Sequence, residues 1–285
     1  MTDHSHRRTD QENRNNRPGR NSPPEKTAPV DNPEDIYLKT VRLTAGYRGI
    51  PFIHDISLSL SKGRIMTLIG PNGSGKSTIL KTLSGRIPSL DGSIFLKGRP
   101  RSSFSRQELA RTVAVMTTDP VKTELMKARE IVEAGRYPYT GSLGILSESD
   151  HQAVEEAIRA AHVEDLADLD FMVLSDGQRQ RILLARAIAQ EAEFMLLDEP
   201  TSFLDIRFQL ELLEILKELC SRKGTTILMS LHELFLVEKI ADTVDCLKNG
   251  RIQQAGPVGE IFSGRVIDDL YDLHAGTYAS LRGKK

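Results

Sequence analysis

Cysteine is scarce in this chain. Its 285 residues include two, Cys220 and Cys246, at no spacing that suits a metal centre or a redox pair. This excludes a disulfide framework and points to a reduced, intracellular setting in which both serve as small buried apolar residues. Charge of one sign is lacking too: 38 Lys and Arg against 39 Asp and Glu leave a net charge of -1. Without a basic footprint, no nucleic-acid partner is expected. No apolar run approaches the roughly 18 residues that cross a bilayer, and the N-terminus lacks the apolar segment of a secretion signal. Any role at a membrane must come through a partner. What remains is an ordinary globular composition, 39% hydrophobic, in a chain long enough for one large domain or two small ones.

The first 34 residues are rich in Asn, Arg, Asp, Pro and His with almost nothing apolar, which predicts a disordered polar tail. From Ile36 the pattern changes. Ile36 to Leu43 and Ile56 to Leu60 alternate apolar and polar residues as half-buried antiparallel strands do, and Gly92 to Gly98 reads as another strand of that layer. Helices are predicted near Lys127–Ala134 and Glu148–Ala161, joined by Gly135-Arg136-Tyr137-Pro138-Tyr139-Thr140-Gly141. Arg179 to Ala189 and Phe208 to Leu219 read as helices, Phe194 to Leu197 and Thr225 to Ser230 as buried strands. Such alternation implies a parallel sheet covered on both faces. Past Phe262 the pattern fades into a mixed tail.

The most informative stretch is Gly70-Pro71-Asn72-Gly73-Ser74-Gly75-Lys76-Ser77-Thr78, which fits G-x-x-x-x-G-K-[ST] without a mismatch. The apolar run Ile65 to Ile69 precedes it and Ile79 to Leu83 continues it as a helix, the strand-loop-helix context that a phosphate-binding loop requires. Its backbone N–H groups and the helix N-terminus would hold the phosphates, Lys76 would reach the β- and γ-phosphates, and the Ser77 hydroxyl would ligate Mg²⁺. Downstream, the apolar strand Phe194 to Leu197 ends in Asp198 and Glu199. Alone the pair is weak evidence, since strands often end in carboxylates on reaching solvent. Beside a phosphate loop it reads as a metal-holding Asp198 and a Glu199 that polarises a water for in-line attack on the γ-phosphate.

Leu174-Ser175-Asp176-Gly177-Gln178 resembles the signature motif, usually LSGGQ, of the ATP-binding-cassette (ABC) ATPases, and stands between phosphate loop and carboxylate pair as in that family. The resemblance runs from about Ile36 to Ile261. It takes in Tyr47, like the aromatic that stacks on adenine, Ser202-Phe203-Leu204-Asp205, like the D-loop, and His232, like the switch histidine. It implies an α/β fold of the P-loop NTPase (RecA-like) class: a parallel-sheet core with an antiparallel β subdomain and an inserted α-helical subdomain at about 120–173. The ABC ATPase domain would cover 35–262, followed by a C-terminal tail over 263–285. The resemblance further implies ATP and Mg²⁺ as ligands and a homodimer with two ATPs at its interface. Ser175 and Gly177 would then complete the partner copy's site, and Gln178 and Asp205 are further implied as ATP-binding residues. Asp176 stands where the family commonly has glycine, and its carboxylate is expected to point away from the phosphate or cap the helix.

One cassette with a compact insertion and no membrane helices resembles the stand-alone ATPase subunits of importers. Gly135-Arg136-Tyr137-Pro138-Tyr139 with the Asp150 region, and Ser202 to Arg207, resemble the iron–siderophore, haem and cobalamin class. That implies transmembrane permease subunits as partners, a substrate-binding protein acting indirectly, and a place at the cytoplasmic face of the cell membrane. The alternative is a soluble ABC ATPase that remodels a protein or ribonucleoprotein. The family's glutamine that touches Mg²⁺ and the attacking water is missing: Thr118 takes its place, after the strand Val113 to Met116.

Overall fold

Strand β4 (Ile65–Ile69) is buried at all five positions, because it lies inside a sheet covered on both faces. Its side chains alternate between two cores: Ile65 and Ile69 enter the larger, Met66 and Leu68 the smaller. The protein is described by a computed structural model over residues 35–117, 119, 125–141 and 143–283. The polar tail expected over the first 34 residues lies outside the described residues.

The antiparallel layer comes first: β1 (Ile36–Tyr47), β2 (Ile50–Ile56), β3 (Ser59–Ser61), then, after β4 and α1 (Lys76–Leu83), β5 (Ser89–Leu96) and β6 (Arg99–Pro100). Its order is β2-β1-β5-β6, with β3 also on β1. The single strand expected over Ile56 to Leu60 is divided, and Thr40 supplies the reason. Its buried hydroxyl donates to the Ile56 carbonyl and accepts the Leu58 N–H, both at 2.8 Å, replacing ladder bonds.

Next come α2 (Arg106–Thr112), β7 (Val113–Met116), α3 (Ala128–Glu133), α4 (Glu148–Ala160), α5 (Asp176–Ala189) and β8 (Phe194–Asp198). The rest is α6 (Ile206–Lys223), β9 (Thr226–Ser230), α7 (Leu234–Ile240), β10 (Thr243–Lys248), β11 (Arg251–Pro257), α8 (Val258–Ile261), α9 (Val266–Leu270) and α10 (Thr277–Leu281). The second sheet runs β11-β10-β4-β9-β8-β7, parallel except for β11. The smaller core, with Ile79, Leu80 and Leu83 of α1, lies between the two sheets; the larger packs α3 to α7 on the opposite face.

The segment read as a connector between α3 and α4 is an anchor. Arg136 is 5% exposed and donates to Asp150 Oδ1 (2.9 Å), the Ala189 carbonyl (2.7 Å) and Glu191 (2.8 Å). Its guanidinium lies 4.1 Å over the Tyr139 ring, whose hydroxyl donates to the Gln190 carbonyl. The segment after Phe262 is likewise more than a tail. Ile267 and Leu270 enter the larger core, and buried Asp268 accepts the N–H groups of Gly276 and Tyr278. Helices of five residues are too short to leave a periodic trace in sequence. Cys246 is buried as expected, whereas Cys220 is half-buried; burial pushes both thiols up to about 12.

Strand β10 escaped the sequence pattern because Asp245 interrupts its apolar run. The residue is 3% exposed, between Leu68 of β4 and Ala255 of β11, and burial raises its carboxyl to about 7. The folded state therefore holds a proton that the unfolded chain releases near pH 4. This contribution to stability is complete below that value and is lost as pH rises toward 7, by up to about 1.4 kcal/mol per pH unit. Urea midpoints of Asp245→Asn should fall less between pH 5 and 8 than those of the parent. Parallel curves would exclude Asp245 as the source.

Candidate active site

The loop between β4 and α1 can form only with glycine at its ends. At Gly70 (φ 149°) a Cβ would meet the Leu247 carbonyl oxygen at 2.0 Å; at Gly75 (φ 113°), the residue that starts α1, it would meet Ile53 Cγ2 at 2.6 Å. The backbone thus packs against β10 and β2 while its N–H groups gather at the helix N-terminus. Lys76 is 5% exposed and folds across the loop, donating to the carbonyls of Gly70 (2.7 Å) and Pro71 (3.2 Å). Burial lowers its pKa, and the charges of Glu199 and Asp198 oppose that shift.

A cleft of about 500 Å³ opens over the loop, lined by Phe52, Asn72, Gly73, Ser74, Gly75, Lys76, Ser77, Thr78, Glu199 and His232. That volume suits a nucleotide-sized ligand. The parallel sheet places β8 beside β9, so Asp198 and Glu199 meet Ser230 and His232 at the carboxyl edge. Asp198 Oδ1 accepts from Ser77 Oγ (3.0 Å) and Ser230 Oγ (2.8 Å). Its Oδ2 is buried and meets no hydrogen-bond partner among the described residues. A carboxylate oxygen without a donor, next to a serine hydroxyl, is a donor set that fits a hard divalent cation such as Mg²⁺. Glu199 Oε1 lies 2.6 Å from His232 Nε2, and its Oε2 accepts from Ser202 Oγ at 3.3 Å. A carboxylate so held, facing the phosphate loop, can take a proton from a water.

Tyr47 sits at the rim, half exposed, its hydroxyl 3.2 Å from Thr78 Oγ1 and its ring edge-on to Phe52 at 6.4 Å. Phe52, absent from the sequence reading, thereby offers a second aromatic surface. Its signal was available: a large apolar residue on the outward positions of an edge strand. Ser230 was missed as well.

The signature residues lie elsewhere. Ser175, Gly177, Gln178 and Asp205 are not among the cleft's lining residues. Ser175 caps α5: its hydroxyl accepts the Gln178 N–H (3.3 Å), and the Gln178 side chain accepts the Ser175 N–H (2.9 Å). Asp176 is exposed and pairs with Arg179, so Ser175 does the capping and the Asp176 carboxylate turns outward. Asp205 caps α6 through the Phe208 N–H (3.0 Å).

Thr118 lies outside the described residues. Its neighbour Asp119 is held at 2.9 Å by both Lys81 and Arg86 on the α1 side, which keeps its carboxyl below the usual range; the Lys81 hydrogen bond is the main cause. Gln107, on α2 ahead of β7, is exposed and donates to the Pro138 carbonyl at 3.4 Å.

The sequence model of the ABC transporter family matches residues 53–202. The iron(3+)-hydroxamate import ATP-binding protein of Bacillus subtilis is 35% identical over 84% of this chain and 88% of its own. The hemin import ATP-binding protein of Streptomyces coelicolor is 35% identical over 90% and 89%. A solved ATP-binding subunit of an ABC transporter superposes with a TM-score of 0.71 at 26% identity, covering 87% of this chain and all of that one. With its phosphate loop, Glu199 and His232 lining one cleft and Asp198 bonded to Ser77 of that loop, the chain belongs to the ABC transporter family as an ATP-binding, ATP-hydrolysing subunit.

Proposed function

We propose that the chain powers an ABC importer for an iron chelate, a ferric siderophore or haem. It works as a homodimer closed on two MgATP and docked on separate permease subunits at the cytoplasmic face of the membrane. The observation that carries the dimer is the divided site: Ser175 and Gly177 stand at the N-terminus of α5, outside the chain's own cleft. They can meet a γ-phosphate only if a second copy presents it. Import is supported by the relatives, which name iron(3+)-hydroxamate and hemin uptake. No helix among the described residues is long and apolar enough to cross a membrane, which fits attachment through a permease.

In this reading the loop N–H groups and the α1 N-terminus hold the β- and γ-phosphates, and Lys76 exchanges the Gly70 and Pro71 carbonyls for phosphate oxygens. Tyr47 and Phe52 face the adenine. Ser77 and Asp198 would hold Mg²⁺, which, when bound, offsets negative charge on the phosphate oxygens. Glu199 takes the proton of the water as its oxygen bonds to the γ-phosphorus and the bond to ADP breaks. His232 keeps the carboxylate aligned.

A pull-down from solubilised membranes tests the importer. The expected result is a hydrophobic permease co-purifying with the chain, with ATP hydrolysis stimulated by it. Recovery of a soluble protein or RNA partner instead, without membrane fractionation, would support the remodelling alternative. With a permease in hand, failed uptake of ferric siderophores and haem would reject the iron assignment.

A further inference from the structure

Glu199 is the first residue past β8, and its backbone is left-handed, with φ at 49°. A non-glycine residue keeps that conformation only where its surroundings over-determine it. Here both sides of the residue are held. Its N–H donates to Ser230 Oγ at 2.9 Å. Its carbonyl accepts the side-chain amide of Gln180 at 3.1 Å, and the same amide donates to the Pro200 carbonyl at 3.2 Å. Gln180 is 7% exposed, and its amide nitrogen serves both carbonyls. It touches the backbone of Glu199 and has no bond to the carboxylate.

Gln180 lies on α5, five residues after the Ser175 cap. A second contact joins the same two elements: a Cβ on Gly177 would come within 3.0 Å of the Phe203 carbonyl oxygen, so the first turn of α5 packs on the turn that Glu199 begins. Any shift of α5 therefore reaches the Glu199 peptide through a fixed polar link. The end of α5 that carries Ser175 and Gly177 is the end that the proposed dimer presents to the partner copy's γ-phosphate.

We propose that Gln180 is a positioning residue for hydrolysis, pinning the left-handed peptide of Glu199 so that engagement of α5 by a second copy's nucleotide is felt at the carboxylate in the chain's own cleft. This rests on the proposed role of Glu199, and the test separates the two. Gln180→Met keeps the length of the side chain and removes its donor; Gln180→Glu keeps its shape and, when ionised, can only accept.

Steady-state kinetics with ATP on the full chain should show kcat lowered about 10- to 100-fold in both variants, the loss that small misplacements of a reacting group cause, with KM within about twofold of the parent. A purely structural residue would lower the melting temperature without this split. In single-turnover assays, adding Gln180→Met to Glu199→Gln should slow the reaction no further, because Gln180 acts only through Glu199. The proposal is overturned if a folded variant keeps kcat within about twofold of the parent, if KM alone changes, or if the double variant is slower than Glu199→Gln by the full factor of the single change. If Glu199→Gln itself turns over at the parental rate, the role of Glu199 has failed and this inference with it.

Discussion

Glu199→Gln should bind MgATP within a fewfold of the parent and hydrolyse it about 10²- to 10⁴-fold more slowly, the loss expected when a general base is removed. The amide keeps the size of the side chain and can still hydrogen-bond His232 and Ser202, so the geometry around it survives. What disappears is the group that can accept the water's proton. With hydrolysis blocked and the nucleotide contacts intact, the ATP-bound dimer should accumulate. Phosphate release measures the first effect, and size-exclusion chromatography with and without ATP the second. A parental rate would remove Glu199 from the mechanism. Slow hydrolysis without any ATP-dependent dimer would keep Glu199 and reject the shared site.

The largest expected effect on stability is at Asp150. Its carboxylate and the Arg136 guanidinium are each 6% exposed and meet at 2.9 Å. The Ser147 hydroxyl, more than Arg136, holds the carboxyl down at about 2, so it is charged throughout the working pH range. Asp150→Ala leaves the buried Arg136 charge paired only with the half-exposed Glu191, so the cost should approach, without exceeding, the about 3–5 kcal/mol of a buried charge left with no partner. It also removes half of the Ser147 capping box of α4, worth about another 1 kcal/mol. Arg136 further ties α5 through the Ala189 carbonyl, so the loss should loosen the α3–α4 block from the core. Urea unfolding would measure it. Combining Asp150→Leu with Arg136→Met, which removes both charges, should recover part of the loss. A single variant within about 1 kcal/mol of the parent would show that water reaches the site and that the pair matters little.

Much of this molecule was legible before any coordinates. The phosphate loop depends on glycine torsions and hydrogen bonds among neighbours in the chain, so the spacing of Gly70, Gly75 and Lys76 is enough to specify it. Strands β4, β8 and β9 announced themselves as unbroken apolar runs because both of their faces are buried. The caps at Ser147, Ser175 and Asp205 are also local, each reaching three residues ahead, although the sequence reading named none of them and offered Asp176 for α5 instead.

Other features depend on chain segments far apart in sequence, and only the sheet order settles those. Phe52 enters the cleft because β2 passes over the loop, Ser230 reaches Asp198 because β9 lies against β8, and Gln180 meets Glu199 because α5 packs beside the end of β8. Arg136 looked like a connector residue until the fold brought Asp150 and Ala189 to it. A local hydrogen bond constrains a few torsions and leaves its mark in residue spacing, whereas a contact across the sheet constrains only the final packing. For that reason the chemistry of the phosphate loop was determined by sequence alone, while the placement of the groups that hold Glu199 was decided by tertiary structure.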